Sequence, residues 1–191
     1  ARDRYETGKL RQILSLLLEE EISIRDLRGI LESLLAVRGG VDVDSNRYIL
    51  LAAHADVFLQ APAPLTTEPS PALLAEFVRS SLKRAISHQH TAGGNTLGAY
   101  LLDPAIEDRI ASSAGNPLTP EERGRLTRAI QSAVGPFLRN PRRPVLLTNP
   151  AIRRALRKLV APDFPRLVVL SYQELTPETS IQPLARITWK D

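Results

Sequence analysis

The 191 residues are 43% hydrophobic and 24% charged, which is globular composition and excludes wholesale disorder. Cys and Met are both absent, so disulfide scaffolds, thiolate metal centres and cysteine nucleophiles are excluded. The formal net charge of +4 hides a gradient: residues 1–95 hold 11 basic and 12 acidic groups, and residues 96–191 hold 14 and 9.

A chain that begins at Ala1 without Met reads as a fragment, and with no apolar run near the ~18 residues of a membrane span it reads as a soluble one. Leu10, Ile13, Leu14, Leu17 and Leu18 repeat at helical spacing and predict a first helix that turns at Glu19-Glu20-Glu21. Ser23, three residues before Asp26, reads as the capping-box start of a second helix that ends at Gly39-Gly40. Its apolar face is Ile24, Leu27, Ile30, Leu31, Leu34 and Leu35, and the two helices are expected to pack antiparallel. Residues 41–71 read as a loop-rich excursion, punctuated by Pro62, Pro64, Pro69 and Pro71, with one short helix near 47–59. Helical periodicity returns over Ala72–Ser87, and His90–Asn95 breaks the pattern at a domain boundary.

The second half alternates. Short strands are predicted at Ala99–Leu102, Val145–Leu147, Leu167–Leu170 and Ile181–Ile187. Between them, Asp103-Pro104, Thr119-Pro120-Glu121-Glu122 and Asn149-Pro150 are helix starts, and Gly135-Pro136 is a stop. The fold class is therefore α+β: an all-α subdomain followed by a small α/β one with about four strands.

No pattern carries catalytic or metal chemistry. Asp42, Asp44 and Asn46 imitate a calcium loop, but Arg47 and Ala53 stand where Gly and Glu are needed. His88 and His90 fall on different faces of a helix, and no nucleophile elbow or phosphate-binding loop is present. No enzyme activity, cofactor or metal is expected. The unusual feature is the tract 123–166, with 11 basic groups against Asp163 alone. It includes Arg153, Arg154, Arg157 and Lys158 on one helix, flanked by Arg139, Arg142, Arg143 and Arg166. A solvated helix face, a contact with acidic proteins and a nucleic-acid-binding module over 139–166 are three readings of it. Only Phe137 and Phe164 offer aromatic surface there, which argues against single-strand binding.

Five ordered blocks add a resemblance. They are LRQILSLLLEEEISIRDLRGILE (10–32), LAEFVR (74–79), YLLDP (100–104), PVLLT (144–148) with Ile152, Arg153 and Arg154, and FPRLVVLSYQEL (164–175). The pattern resembles the export-gate family of type III secretion and flagellar export (FlhA/InvA/LcrD-like, SctV). The resemblance implies an inner-membrane protein whose cytosolic region forms a homo-oligomeric, typically nonameric, ring at the cytoplasmic face of the bacterial membrane. Its implied partners are export substrates, their chaperones, and stalk or ATPase-complex proteins, with no nucleic acid. It divides the chain into the tail of a preceding subdomain (1–8), a helical, ring-forming third subdomain (9–92) and an α/β fourth subdomain (93–191). Residues 39–71 depart from the family pattern as a Pro-rich insertion.

On this reading Arg25, Asp26, Arg28 and Glu32 are candidates for subunit contacts, because one capped helix presents both signs and a ring interface must match plus to minus. Asp26 also has a capping role. Arg153, Arg154, Arg157 and Lys158 are the candidates for contact with acidic partner proteins.

Overall fold

A computed structural model describes residues 7–38, 70–91, 93–137 and 144–189. Seven helices are described: α1 (Thr7–Glu19), α2 (Leu27–Arg38), α3 (Pro71–Ser81), α4 (Lys83–Thr91), α5 (Pro104–Ala111), α6 (Pro120–Val134) and α7 (Pro150–Val160). The strands are β1 (Thr96–Leu102), β2 (Val145–Thr148), β3 (Val168–Ser171) and β4 (Ser180–Ile187). The chain separates into two compact units between Ile86 and Ser87, inside α4. The expected helix near 47–59 lies outside the described residues, as does the insertion apart from Ser70 and Pro71.

The described residues of the first unit are helical. The turn after α1 falls where the three glutamates stand, and its geometry is specific. Ile22 N donates to Leu17 O and Glu21 N to Leu18 O, both at 2.9 Å, with Glu21 in the left-handed region at φ 58°. That pair of bonds is a Schellman motif closed by a residue with a side chain where Gly is usual. The antiparallel α1–α2 pairing expected from the short linker is not the main packing: α1 and α2 each pack chiefly on α3. Helix α3 suits that role because Ala72 and Ala75 let neighbours approach while Leu74 and Val78 fill the interior. Ile13, Leu17, Ile30 and Leu34 are the matching buried residues of α1 and α2, each contributing about 1.5–3 kcal/mol by leaving water. Arg79 of α3 is 2% exposed and pairs with Glu20 at 3.1 Å, tying the turn after α1 to α3.

The helix expected over Ala72–Ser87 is two. Ser70 caps α3, with Leu73 N donating to its Oγ at 3.3 Å, and Pro71 is the first helical residue, not a breaker. A break at Leu82 then separates α3 from α4, which runs to Thr91. The same cap-then-proline device opens three more helices, at Asp103-Pro104, Thr119-Pro120 and Asn149-Pro150. Proline has no N–H to leave unsatisfied at that position, and the preceding polar side chain binds a free amide.

The second unit is a four-stranded sheet of order β3-β2-β1-β4 with every pairing parallel. Rows run straight across it: Tyr100 beside Leu146 beside Val169, then Leu101 beside Leu147 beside Leu170. Tyr100, Leu102, Leu146, Val169 and Ile187 face the helices and share a core with Ile106, Ile110, Leu126, Ile130, Ile152, Leu156 and Phe164. Leu97, Ala99, Val145, Leu147 and Leu170, on the other face, are buried too, as parallel strands require. Strand β4 is the exception: Ser180–Arg186 are exposed along the sheet edge. Its ladder slips between the partners of Ala99 and Tyr100, where Leu184 is the extra residue. Pro183 at that bulge is compatible with an edge strand. A hydrogen bond of 3.0 Å from Thr176 N to Ser87 Oγ fastens the β3–β4 connection to α4.

Candidate interaction surfaces

Helix α2 begins one turn later than its sequence suggests. Ser23 is not the cap; Asp26 is, accepting from Gly29 N at 2.9 Å through Oδ1, while its carbonyl accepts from Ile30 N at 3.1 Å. Gly29 leaves room for this cap, since a Cβ there would collide with the Asp26 carboxylate. The apolar residues read as one face divide into two. Ile30 and Leu34 point inward and are buried, whereas Leu27, Leu31 and Leu35 are 44%, 38% and 59% exposed. At i, i+4 and i+8 these three form an outer apolar stripe. Arg28 and Glu32 run beside it, joined by a 2.8 Å ion pair and largely exposed. Arg25 is exposed at the bend before the helix. Of the four candidates on this helix, Asp26 is thus occupied by capping, and Arg28 and Glu32 by each other.

Helix α7 sorts its cations by depth. Arg153 is fully buried, so it cannot meet a partner from the surface, and its place among the contact candidates is corrected. The i, i+4 spacing with Arg157 does put both on one face, but that face turns inward. The Arg153 guanidinium lies 3.6 Å from Glu174 Oε1 and donates to Val169 O at 3.3 Å. Glu174, 1% exposed, also accepts from Ser171 N at 3.1 Å and Ser171 Oγ at 2.8 Å. A buried charge without such partners would be prohibitively costly. Arg157 is half-buried and donates to Leu167 O at 3.2 Å and Pro165 O at 3.3 Å, holding the turn before β3. Arg154 and Lys158 remain as the exposed pair of the original four, with Arg166 exposed on that turn.

Two further polar groupings were not picked out by spacing. Arg109 forms a fork onto Glu122 at 2.7 and 2.8 Å, and also donates to Asn116 O and Pro117 O at 2.9 and 3.1 Å. The guanidinium of Arg109, together with Thr119 N, holds the Glu122 carboxyl down at about 2. The Glu122-Thr119 capping box was legible; its third member, thirteen residues upstream of Glu122, was not. At the carboxyl end of the sheet, Glu107 accepts from Thr148 Oγ1 at 2.6 Å and Asn149 N at 3.3 Å. Tyr172, 47% exposed, stands nearby, its phenol pushed up first by partial burial and then by Glu107, against the pull of Arg186. Among the described residues no group of three or more His, Asp or Glu side chains is placed to hold a metal ion. None of the described helices is long and apolar enough to cross a membrane.

Comparison with known proteins places these surfaces in context. Residues 1–180 match the model of the FHIPEP family. The low calcium response locus protein D of Yersinia pestis is 35% identical over 186 residues, covering 94% of this chain and 23% of its own length. The solved CdsV protein of Chlamydia pneumoniae is 36% identical with a TM-score of 0.72, over 94% of this chain and 46% of that one; it has also been solved in complex with CdsO. The nonameric SctV-C of EPEC superposes with a TM-score of 0.67 at 27% identity, over 94% of this chain and 48% of that one. The chain thus spans about a quarter of the curated relative and about half of the solved ones.

Proposed function

The chain belongs to the FHIPEP family, and we propose that it is part of the cytosolic region of a type III export gate, a non-enzymatic module that assembles with copies of itself into a ring. The observation that carries this reading is the likeness, over 94% of the chain, to relatives solved as nonamers, one of them a type III secretion cytosolic domain. The outer stripe of α2 supports it, since three exposed leucines in a row are a costly surface unless something covers them. In the ring, Leu27, Leu31 and Leu35 supply apolar contact, and Arg25, Arg28 and Glu32 at its margin set register. A ring interface is heterologous, so the stripe meets a different patch of the next subunit. The location is the cytoplasmic face of the bacterial inner membrane. Its role there is to help dock and order export substrates and chaperones, supported by the resemblance of 94% of the chain to proteins named for secretion and translocation.

Imaging and mass measurement test the ring, using protein that includes the region the solved relatives carry beyond the matched half. Closed rings of one stoichiometry are expected, and Leu31→Glu is expected to leave folded monomers. A protein that stays monomeric at concentrations where its relatives form rings overturns the ring, and a variant that still closes normally overturns the role of the α2 stripe in it.

A further inference from the structure

We propose that the outer face of α7 and the turn that follows it, presenting Arg154, Lys158 and Arg166, dock an acidic helical segment of another protein. All three side chains are exposed, and none takes part in an ion pair among the described residues. Arg154 and Lys158 are one turn apart on one exposed face, and no acid stands between them in the sequence. Like charges at that spacing weaken a helix. Lys158, in the last turn, gains from the helix dipole, but Arg154 lies further in and gains little. Packing makes no use of this pair, whereas it uses Arg153 and Arg157 beside it.

Arg157 also shapes the surface. Its two terminal nitrogens hold the carbonyls of Pro165 and Leu167, the residues on either side of Arg166. The backbone that carries the third cation is therefore pinned to α7, which makes Arg157 a positioning residue. The result is three cations on a rigid base, a better receptor than the same charges on a mobile loop because less order is lost on binding.

The chemistry of the partner follows from what surrounds the cations, where the one exposed carboxylate of the turn, Asp163, accepts from Thr127 Oγ1 at 3.2 Å. Phe164, the aromatic side chain of the turn, is buried, so no ring is presented for base stacking. Ala155 and Leu159 pack against the core, so the face offers no apolar wedge for a membrane surface. Carboxylates one turn apart on a partner helix match the spacing of Arg154 and Lys158, and a third reaches Arg166. The surface belongs to the second unit alone and goes beyond the ring assignment.

The probe is a labelled helical peptide with Glu at successive i, i+4 positions, titrated with the 191-residue chain and followed by fluorescence anisotropy. Binding is expected to weaken steeply between about 50 and about 200 mM salt, as a charge-driven contact must. Arg154→Glu with Lys158→Glu is expected to lower affinity at least about tenfold. Lys83→Glu with Arg84→Glu, an equal charge change on exposed residues of α4, is expected to leave it within about twofold. Arg157→Gln is expected to weaken binding by an intermediate factor, with circular dichroism showing the fold intact. Absence of binding, equal losses in both double variants, or tighter binding of duplex DNA or phosphatidylserine vesicles than of the peptide would each overturn the proposal. Ring assembly is measured separately by sizing, so peptide binding lost with rings intact counts against this surface alone.

Discussion

Arg153 and Glu174 meet 3.6 Å apart in the interior of the second unit, 0% and 1% exposed at the side chain. The pair joins α7 to the turn after β3, and Ser171 supplies two more hydrogen bonds to the same carboxylate oxygen. It gives Arg153 and the SYQE run a structural role within blocks that otherwise read as apolar core. Breaking such a pair from one side leaves an uncompensated buried charge.

Arg153→Ala is therefore expected to lower unfolding free energy by about 3–5 kcal/mol in urea denaturation. Glu174→Gln keeps an acceptor for Ser171 but leaves the buried Arg153 charge unpaired, so a loss of the same order is expected. A cost for Arg153→Ala below about 1 kcal/mol, the range of exposed pairs, would contradict the buried pairing.

Glu122 gives a pH prediction. Its carboxyl is held at about 2 against an ordinary 4.5, first by Arg109 and then by Thr119 N. A depressed carboxylate contributes stability that is fully present above its unfolded value, near 4.5, and is lost as pH falls toward 2. Carbon-detected NMR titration is expected to find a midpoint near 2, and Arg109→Gln to move it back toward the ordinary value. A normal midpoint in the unaltered chain would refute the fork.

Gly29 and Asp26 are coupled. Gly to Ala inside a helix ordinarily gains about 0.8–1 kcal/mol, but here the new Cβ collides with the capping carboxylate. Gly29→Ala alone is expected to give no gain, because loss of the cap costs about 1 kcal/mol. In an Asp26→Ala background the same change is expected to stabilise by the full helical amount. Thermal melts of the four-member cycle measure this, and additivity would show that the two residues do not interact.

Glu21 holds a left-handed backbone at φ 58°. Glu21→Gly is expected to raise stability by about 0.5–1 kcal/mol, the strain of a side chain at that position less the contacts it makes. The turn bonds to Leu17 and Leu18 should persist, visible as protected amides at residues 21 and 22. Destabilisation would mean that the Glu21 side chain holds the turn more strongly than the backbone resists it.

The depth of the α7 arginines shows where sequence reading stops. Arg153, Arg154 and Arg157 are the same residue type on one helix, and spacing separates them by angle but not by burial. Only the position of β3 and the SYQE turn beneath the helix decides that Arg153 is interior, Arg157 a clamp and Arg154 a surface cation. Likewise, Leu27, Ile30, Leu31, Leu34 and Leu35 of α2 satisfy one helical stripe within the tolerance of a 3.6 repeat. It takes α3, packed on one side of them, to leave Leu27, Leu31 and Leu35 outside.

What the sequence determined by itself is local. Cap-then-proline pairs set helix starts at 104, 120 and 150, and short apolar runs located four strands to within a few residues, because backbone hydrogen-bond demand and side-chain period are properties of neighbouring residues. The ordered blocks further marked the family. What the tertiary structure decided is everything that couples distant residues: the β3-β2-β1-β4 order, the Arg109–Glu122 fork, the buried Arg153–Glu174 pair, and which cations and leucines face solvent. Those outcomes depend on which surfaces the folded chain removes from water, and no local pattern carries that information.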